Sequence, residues 1–279
     1  MTSTWGRQRW RPWLRRGVAV LAAGAALAGA FTLCGCASQQ QTTASADVMT
    51  SSDEPESRRR ARIRLELATG YFQQGKTDVA LDEVKQALAA DPSYPDVYNL
   101  RGLIFMRLND MRQAEDSFRR ALALNSRDPN TLHNLGWLQC QEKRYDESIR
   151  SFDAALANPL YAERAKTLMA LGVCQARGGR NEEAERSLAR AYELDAGNPV
   201  TGYNLANLLF KRGDFKRAQF YIRRLNNSEL ANAESLWLGI KVERRMNDER
   251  AMQQLGDVLR RRFPQSHERE AYDRGAFDE

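Results

Sequence analysis

The sequence predicts an all-α superhelix of six helix-turn-helix repeats that follows a cleaved leader. Three observations carry that prediction: residue types recur in register along most of the chain, an uncharged run near the N-terminus ends in cysteines, and the composition suits a thin helical array. Apolar residues make up 42% of the 279 and charged residues 28%, a balance that favours a surface-rich architecture over a thick core. The net charge of +6 depends on one segment. Arg7, Arg9, Arg11, Arg15 and Arg16, with no acid, lie in residues 1–35, and the remainder holds 37 bases against 36 acids. The basic excess belongs to the leader, so no nucleic-acid partner is expected.

The leader reads as an address. Residues 5–16 are rich in Arg and Trp, and Gly17 to Leu33 is an uncharged run of 17 residues, mostly Ala, Gly, Val and Leu. A charged start, an apolar middle and a small-residue end describe a secretory signal. The closing Leu33-Cys34-Gly35-Cys36 resembles a bacterial lipobox, with Cys36 as the lipidated residue, Gly35 before it and Leu33 three back. Cys34 fits badly as the acceptor because bulky Leu33 would sit at the cleavage bond, and Cys34 itself stands where Ala or Ser is more usual. An uncleaved anchor is the alternative, since 17 residues is the lower edge of spanning length. On the lipobox reading, residues 1–35 are a signal peptide and Cys36 carries lipid. Ala37, rather than Asp, follows it, which the resemblance implies is an outer-membrane address on the periplasmic face. Lipid holds a protein to a membrane without crossing it. Residues 36–57 read as the lipidated Cys and a flexible linker, with a mean reach of about 25 Å. Arg58, Arg59, Arg60, Arg62 and Arg64 then either touch anionic headgroups or form a solvated helix face, which is the plainer expectation.

From residue 58 to 267 the chain repeats. Small residues after each polar turn are Ala80, Ala114, Ser148, Ala184, Ala218 and Ala251, spaced 34, 34, 36, 34 and 33. Four further on stand Val84, Phe118, Phe152, Leu188, Ile222 and Leu255; three beyond those come Ala87, Ala121, Ala155, Ala191, Leu225 and Val258. Twelve before each marker is another small residue: Ala68, Gly102, Gly136, Gly172, Ala206 and Gly239. Columns that keep one register over six units are a repeat signature, and this period resembles the tetratricopeptide repeat, two antiparallel helices per unit. The small residues let helices A and B approach closely, and Phe152 fills the space between one pair and the next. Gly178-Gly179, Gly213-Asp214 and Asn109-Asp110 supply turns. Asp91-Pro92, Asp128-Pro129, Asn158-Pro159 and Asn198-Pro199 separate units. Residues 268–279 remain as a C-terminal tail.

Such arrays present a concave face lined mainly by the A helices. Projecting the repeat places Leu65, Thr69, Phe72, Asn99, Leu103, Met106, His133, Trp137 and Cys140 there, then Met169, Val173, Tyr203, Asn207 and Phe210. Arg107, Arg177, Lys211 and Arg244 form a basic edge. The partner-binding candidates are Phe72, Met106, Arg107, Trp137, Arg177, Tyr203, Asn207, Phe210 and Lys211, with the large aromatics as anchors. Leu65, Leu103 and Val173 fit packing between units equally well. Leu65 and Thr69 stand where carboxylate-clamping chaperone-binding repeats need Lys and Asn, so that subtype is not expected.

Chemistry is absent from the pattern. His133 and Cys140 lie seven apart on one predicted helix, about 10.5 Å along its axis, too far for a nucleophile pair. No zinc spacing, phosphate loop or serine elbow occurs, so no enzyme, cofactor, metal or small-molecule substrate is expected. Cys140 and Cys174 project in different directions, so two packed thiols are expected ahead of a bridge.

The end of the chain is more telling. Ser235-Leu236-Trp237-Leu238-Gly239-Ile240 opens the last unit, and Phe263-Pro264-Gln265-Ser266, Tyr272 and Gly275-Ala276-Phe277-Asp278 follow. With six repeats and a lipobox, these segments resemble the PilF/PilW family of type IV pilus biogenesis lipoproteins. That resemblance implies a pilotin, which takes a PilQ-like secretin to the outer membrane and supports its multimers. A repeat lipoprotein that organises cell-wall (peptidoglycan) hydrolases is the alternative reading.

Overall fold

A computed structural model describes residues 53–277. The signal peptide 1–35, Cys36 and the linker up to residue 52 lie outside the described residues. Six antiparallel pairs run in order: α1 (Glu56–Gln73) with α2 (Thr77–Ala90), α3 (Pro95–Arg107) with α4 (Met111–Leu124), α5 (Pro129–Gln141) with α6 (Tyr145–Leu156). They continue through α7 (Arg164–Arg177) with α8 (Asn181–Leu194), α9 (Pro199–Arg212) with α10 (Phe215–Asn226), and α11 (Ala233–Arg245) with α12 (Glu249–Arg262). The expected tail is not loose. His267–Arg274 forms α13, which packs on α11 and α12 as the first helix of a next unit would. Its N-terminus is capped by Ser266, whose Oγ accepts from the Arg269 amide at 3.1 Å, satisfying a donor that has no partner inside the helix.

Boundaries follow local chemistry. Pro95, Pro129 and Pro199 open α3, α5 and α9, where a missing amide costs nothing. Asp128 and Asn198 cap two of these, accepting from Thr131 at 2.7 Å and from Val200 at 3.0 Å. Pro92 and Pro159, in contrast, lie within connections, and α7 starts five residues after Pro159. Each A helix ends in a left-handed residue: Gly75, Asn109, Lys143, Gly179, Gly213 and Asn247. Glycine and asparagine are the residues that take this conformation most readily. Their spacings are 34, 34, 36, 34 and 34.

That last spacing corrects the expected register of the sixth unit. Ile240, Gly256 and Leu259 are buried there, whereas Leu255 and Val258 are half-buried, so Ile240 is the counterpart of Ala206. Sizes are exchanged in this unit: a large residue sits on helix A and Gly256 on helix B. The Tyr272 ring lies 2.2–2.3 Å from where a Gly256 Cβ would be, so α13 fills the gap left by that exchange.

Helix A packs on helix B at the small residues. A Cβ on Gly102 would stand 2.4–2.7 Å from the Phe118 ring, and one on Gly172 would stand 2.6 Å from Leu188 Cγ. Phe118, Phe152 and Leu188 are fully buried, each worth about 1.5–3 kcal/mol of transfer free energy. Ser148 Oγ donates to the Gly136 carbonyl at 2.7 Å, so its hydroxyl is satisfied inside that close approach. The backbone of each A helix also comes close to that of the next unit's A helix, while among the described residues successive B-helix backbones stay farther apart and meet only through side chains, as Arg217 of α10 meets Glu185 of α8. The A helices therefore lie on the inside of the curve and line a concave face.

Gly102→Ala tests the close approach. The alanine gains about 1 kcal/mol of helix propensity, but forcing the Phe118 ring aside costs about 1–3 kcal/mol and more where the ring cannot rotate. A net loss of stability is expected, read as a lower urea midpoint with an unchanged slope. A raised midpoint would contradict it.

Candidate partner-binding groove

Along the concave face the structure places Phe72, Met106, Trp137, Tyr203, Asn207 and Phe210 half-buried and Arg107, Arg177 and Lys211 exposed. The aromatics do not stand clear of the packing. Trp137, Tyr203 and Phe210 pack against the buried cluster that runs from Val173 and Leu188 through Leu205 and Leu209 to Val242, and Phe72 packs against the cluster of Ala68, Val84 and Ile104. The expected basic edge and aromatic floor meet as pairs. Arg107 lies 3.7 Å from the centroid of the Phe72 ring in the preceding unit and also donates to the Phe72 carbonyl. Arg177 lies 5.6 Å from Trp137 of its preceding unit. Such cation–ring contacts contribute about 0.5–1 kcal/mol at exposed sites, and these two tie the first unit to the second and the third to the fourth.

The corrected register adds two residues that the sequence projection missed. Lys241 takes the position of Asn207, and its ammonium lies 6.0 Å from the Phe210 ring and 5.5 Å from the Trp237 ring. Trp237 takes the position of Tyr203, is nine-tenths buried, and stacks on Phe277 at 5.5 Å. Arg244 is then the counterpart of Phe210 rather than of Lys211, and lies over Phe277 at 4.3 Å. Arg245, rather than Arg244, is the sixth unit's member of the basic edge. The signal that could have found this is Asn247, 34 residues after Gly213.

Other projected residues are not available to a partner. His133, Cys140 and Val173 are buried. His133 Nδ1 is 2.8 Å from Thr167 Oγ1, which also meets Tyr161 OH at 3.0 Å, and the imidazole meets the Phe152 ring edge-on. Burial, with Lys166 adding to it, holds the His133 imidazolium down at about 4. Cys140 and Cys174 form a disulfide, against the expectation of two packed thiols; their Cα atoms are 5.8 Å apart, within bridging range. The projection treated all units as rigid copies. The connection 157–163 is longer than its neighbours. That seam is tied again by Arg164, whose Nη1 donates to the Leu156 carbonyl at 2.8 Å.

Part of the basic run near the start of α1 is engaged within the chain. Arg58 pairs with Asp91 and lies over Tyr94, Arg62 pairs with Glu54 and Glu66, and Arg64 reaches Glu83 at 2.9 Å. Among the described residues no cluster of His, Cys, Asp or Glu could hold a metal, and no helix is long and apolar enough to cross a membrane.

Comparison with known proteins places this geometry. Tetratricopeptide-repeat family models match residues 65–129, 134–199 and 176–236. The type IV pilus assembly protein PilF of Pseudomonas aeruginosa is 28% identical over 204 residues, spanning 73% of this chain and 81% of that protein. The crystal structure of PilW, described as a widely conserved type IV pilus biogenesis factor, overlays with a TM-score of 0.71 at 27% identity, covering 76% of this chain and 97% of PilW. The solved PilF of P. aeruginosa overlays with a TM-score of 0.73 at 26% identity, over 79% of this chain and 100% of that one. The chain is a PilF/PilW-like tetratricopeptide-repeat protein. Repeat proteins of this kind are protein-interaction scaffolds, and the site of interest in a PilF/PilW-like array is its groove.

The buried imidazole gives a pH dependence with a definite sign. His133 stays neutral in the fold down to about 4, while an unfolded histidine takes its proton near 6.5. Below that value the unfolded chain binds more protons, so stability present above pH 6.5 is lost as pH falls toward 4, by about 3 kcal/mol in all. His133→Gln should lack this component. Denaturant midpoints measured for both proteins across that window check it, and parallel pH profiles would contradict it.

Proposed function

We propose that this protein is an outer-membrane lipoprotein adaptor for type IV pilus biogenesis. Lipid on Cys36 supplies the membrane address on the periplasmic face. The repeat groove supplies the contact to an outer-membrane secretin, whose localisation and multimerisation it promotes. The observation that carries this reading is the match to two pilus factors along nearly the whole of their solved chains, together with a groove whose aromatic and basic side chains remain partly open. The disulfide is in keeping with an oxidising compartment. No catalytic step is assigned, because the groove offers recognition chemistry alone: rings, amides and cations.

The two halves of the proposal separate in the cell. Deleting the gene should deplete heat- and detergent-resistant secretin multimers from the outer membrane and abolish twitching. Cys36→Ser should still bind the secretin but leave the pair away from the outer membrane. Trp137→Ala with Phe210→Ala should be located correctly and fail to bind, with some loss of melting temperature because both rings also pack. Normal secretin multimers in the deletion strain, alongside altered cell-wall hydrolase activity, would overturn the assignment in favour of a hydrolase scaffold.

A further inference from the structure

The C-terminal end of the groove has an unbalanced charge. In the last three units, the groove-facing positions in the second half of each A helix include Arg177, Lys211, Lys241, Arg244 and Arg245 and no acid. Glu243, the one carboxylate in that stretch of α11, is fully buried on the other side, where Gln219 and Arg223 each reach it at 2.7 Å. Arg177 and Arg245 face rings, Trp137 and Phe215, and Arg244 is held at Phe277.

Lys211 and Lys241 differ from the arginines of the A–B turns. Arg144 is bonded by Glu115, Glu142 and Glu147, Arg180 by Asp146, and Arg212 by Glu185. Neither lysine has a carboxylate within ion-pair distance among the described residues. Glu182 and Glu185 line a cleft with Lys211; Glu185 is already taken by Arg212 and Arg217, and Glu182 stands beyond ion-pair distance of Lys211. Lys241 is half-buried between the rings of Phe210 and Trp237, which hold its ammonium in place without neutralising it. Burial and then the charge of Lys211 push the Lys241 ammonium below its ordinary range. Lys211 is exposed one residue past Phe210, the ring that Lys241 also faces, so an anion at Phe210 offsets both the like charge of Lys211 and the burial of Lys241.

We infer that the groove end built by units four to six takes an acidic segment of the protein partner, with Lys211 and Lys241 receiving its carboxylates and Phe210 receiving an adjacent apolar side chain. This rests on the adaptor reading for the existence of a protein partner but not for its identity. Charge complementarity selects the occupant: the ring-framed ammonium suits a small carboxylate beside an apolar group, and the fixed helices suit a single extended chain.

The test uses the full-length protein in detergent and a labelled peptide in which Asp alternates with Phe and Gly, against the same peptide with Asn for Asp. The Asp peptide should bind about tenfold or more tightly than the Asn peptide, and less tightly as salt is raised. Lys211→Met with Lys241→Met should remove that preference without lowering the melting temperature, and Lys211→Glu with Lys241→Glu should weaken Asp-peptide binding further. Equal affinity for the two peptides, no binding of the Asp peptide, or full affinity in the double Met variant would overturn the inference. Secretin multimers scored in cells carrying the double Met variant and in the deletion strain keep the two readings apart. Peptide failure with secretin loss on deletion defeats this inference alone, and peptide binding with normal secretin on deletion defeats the adaptor assignment alone.

Discussion

A phenyl ring resting on the α-carbon of a glycine, as Phe118 rests on Gly102 and Phe152 on Gly136, holds two helices closer than side-chain packing on both partners would allow. The rest of the array depends on that approach. It fixes the angle within each pair, and repetition of the pair brings A helix against A helix while the B-helix backbones stay farther apart. A concave face is the geometric result. In the sixth unit the large residue, Ile240, stands on helix A and Gly256 on helix B, and the space over Gly256 is filled by Tyr272 of the capping helix.

The groove draws its chemistry from the seams between units. Side chains there serve two ends at once: Phe72, Trp137 and Phe210 pack on the core with one face and carry a cation from the next unit on the other. Curvature and recognition are therefore coupled, because a change that moves one unit against the next also parts a ring from its cation. The seam with the longest connection is tied by the Cys140–Cys174 disulfide, by His133 with Thr167 and Tyr161, and by Arg177 over Trp137. An inserted pair of residues would otherwise loosen the curve at its middle.

Much of this was legible in the sequence, because the approach of two helices demands small residues at fixed spacing and a large residue four past the second of them. Turn residues were legible where glycine or asparagine announced a left-handed backbone, and not at Lys143, which takes that conformation without the usual residue type. The last unit was misread by one position because Gly239 and Ala251 imitate the small-residue columns while Ile240 and Gly256 exchange roles. That slip hid Lys241 and Trp237 from the groove. The disulfide was hidden for a related reason: periodic projection cannot place a helix that follows a connection of different length. His133 looked like a groove residue because its column faces the groove elsewhere, but the neighbouring unit covers it with Thr167.

The central claim is that the concave face, and not the convex one, meets the partner. Site-specific photo-crosslinking in cells tests it most directly, with the photoreactive residue at Met106 and Asn207 on the groove and at Phe220, 60% exposed on helix B of the fifth unit, as the convex control. Secretin-containing crosslinks from the two groove positions and none from Phe220 are the predicted result. Crosslinks to the secretin from Phe220 with none from Met106 or Asn207 would contradict the account.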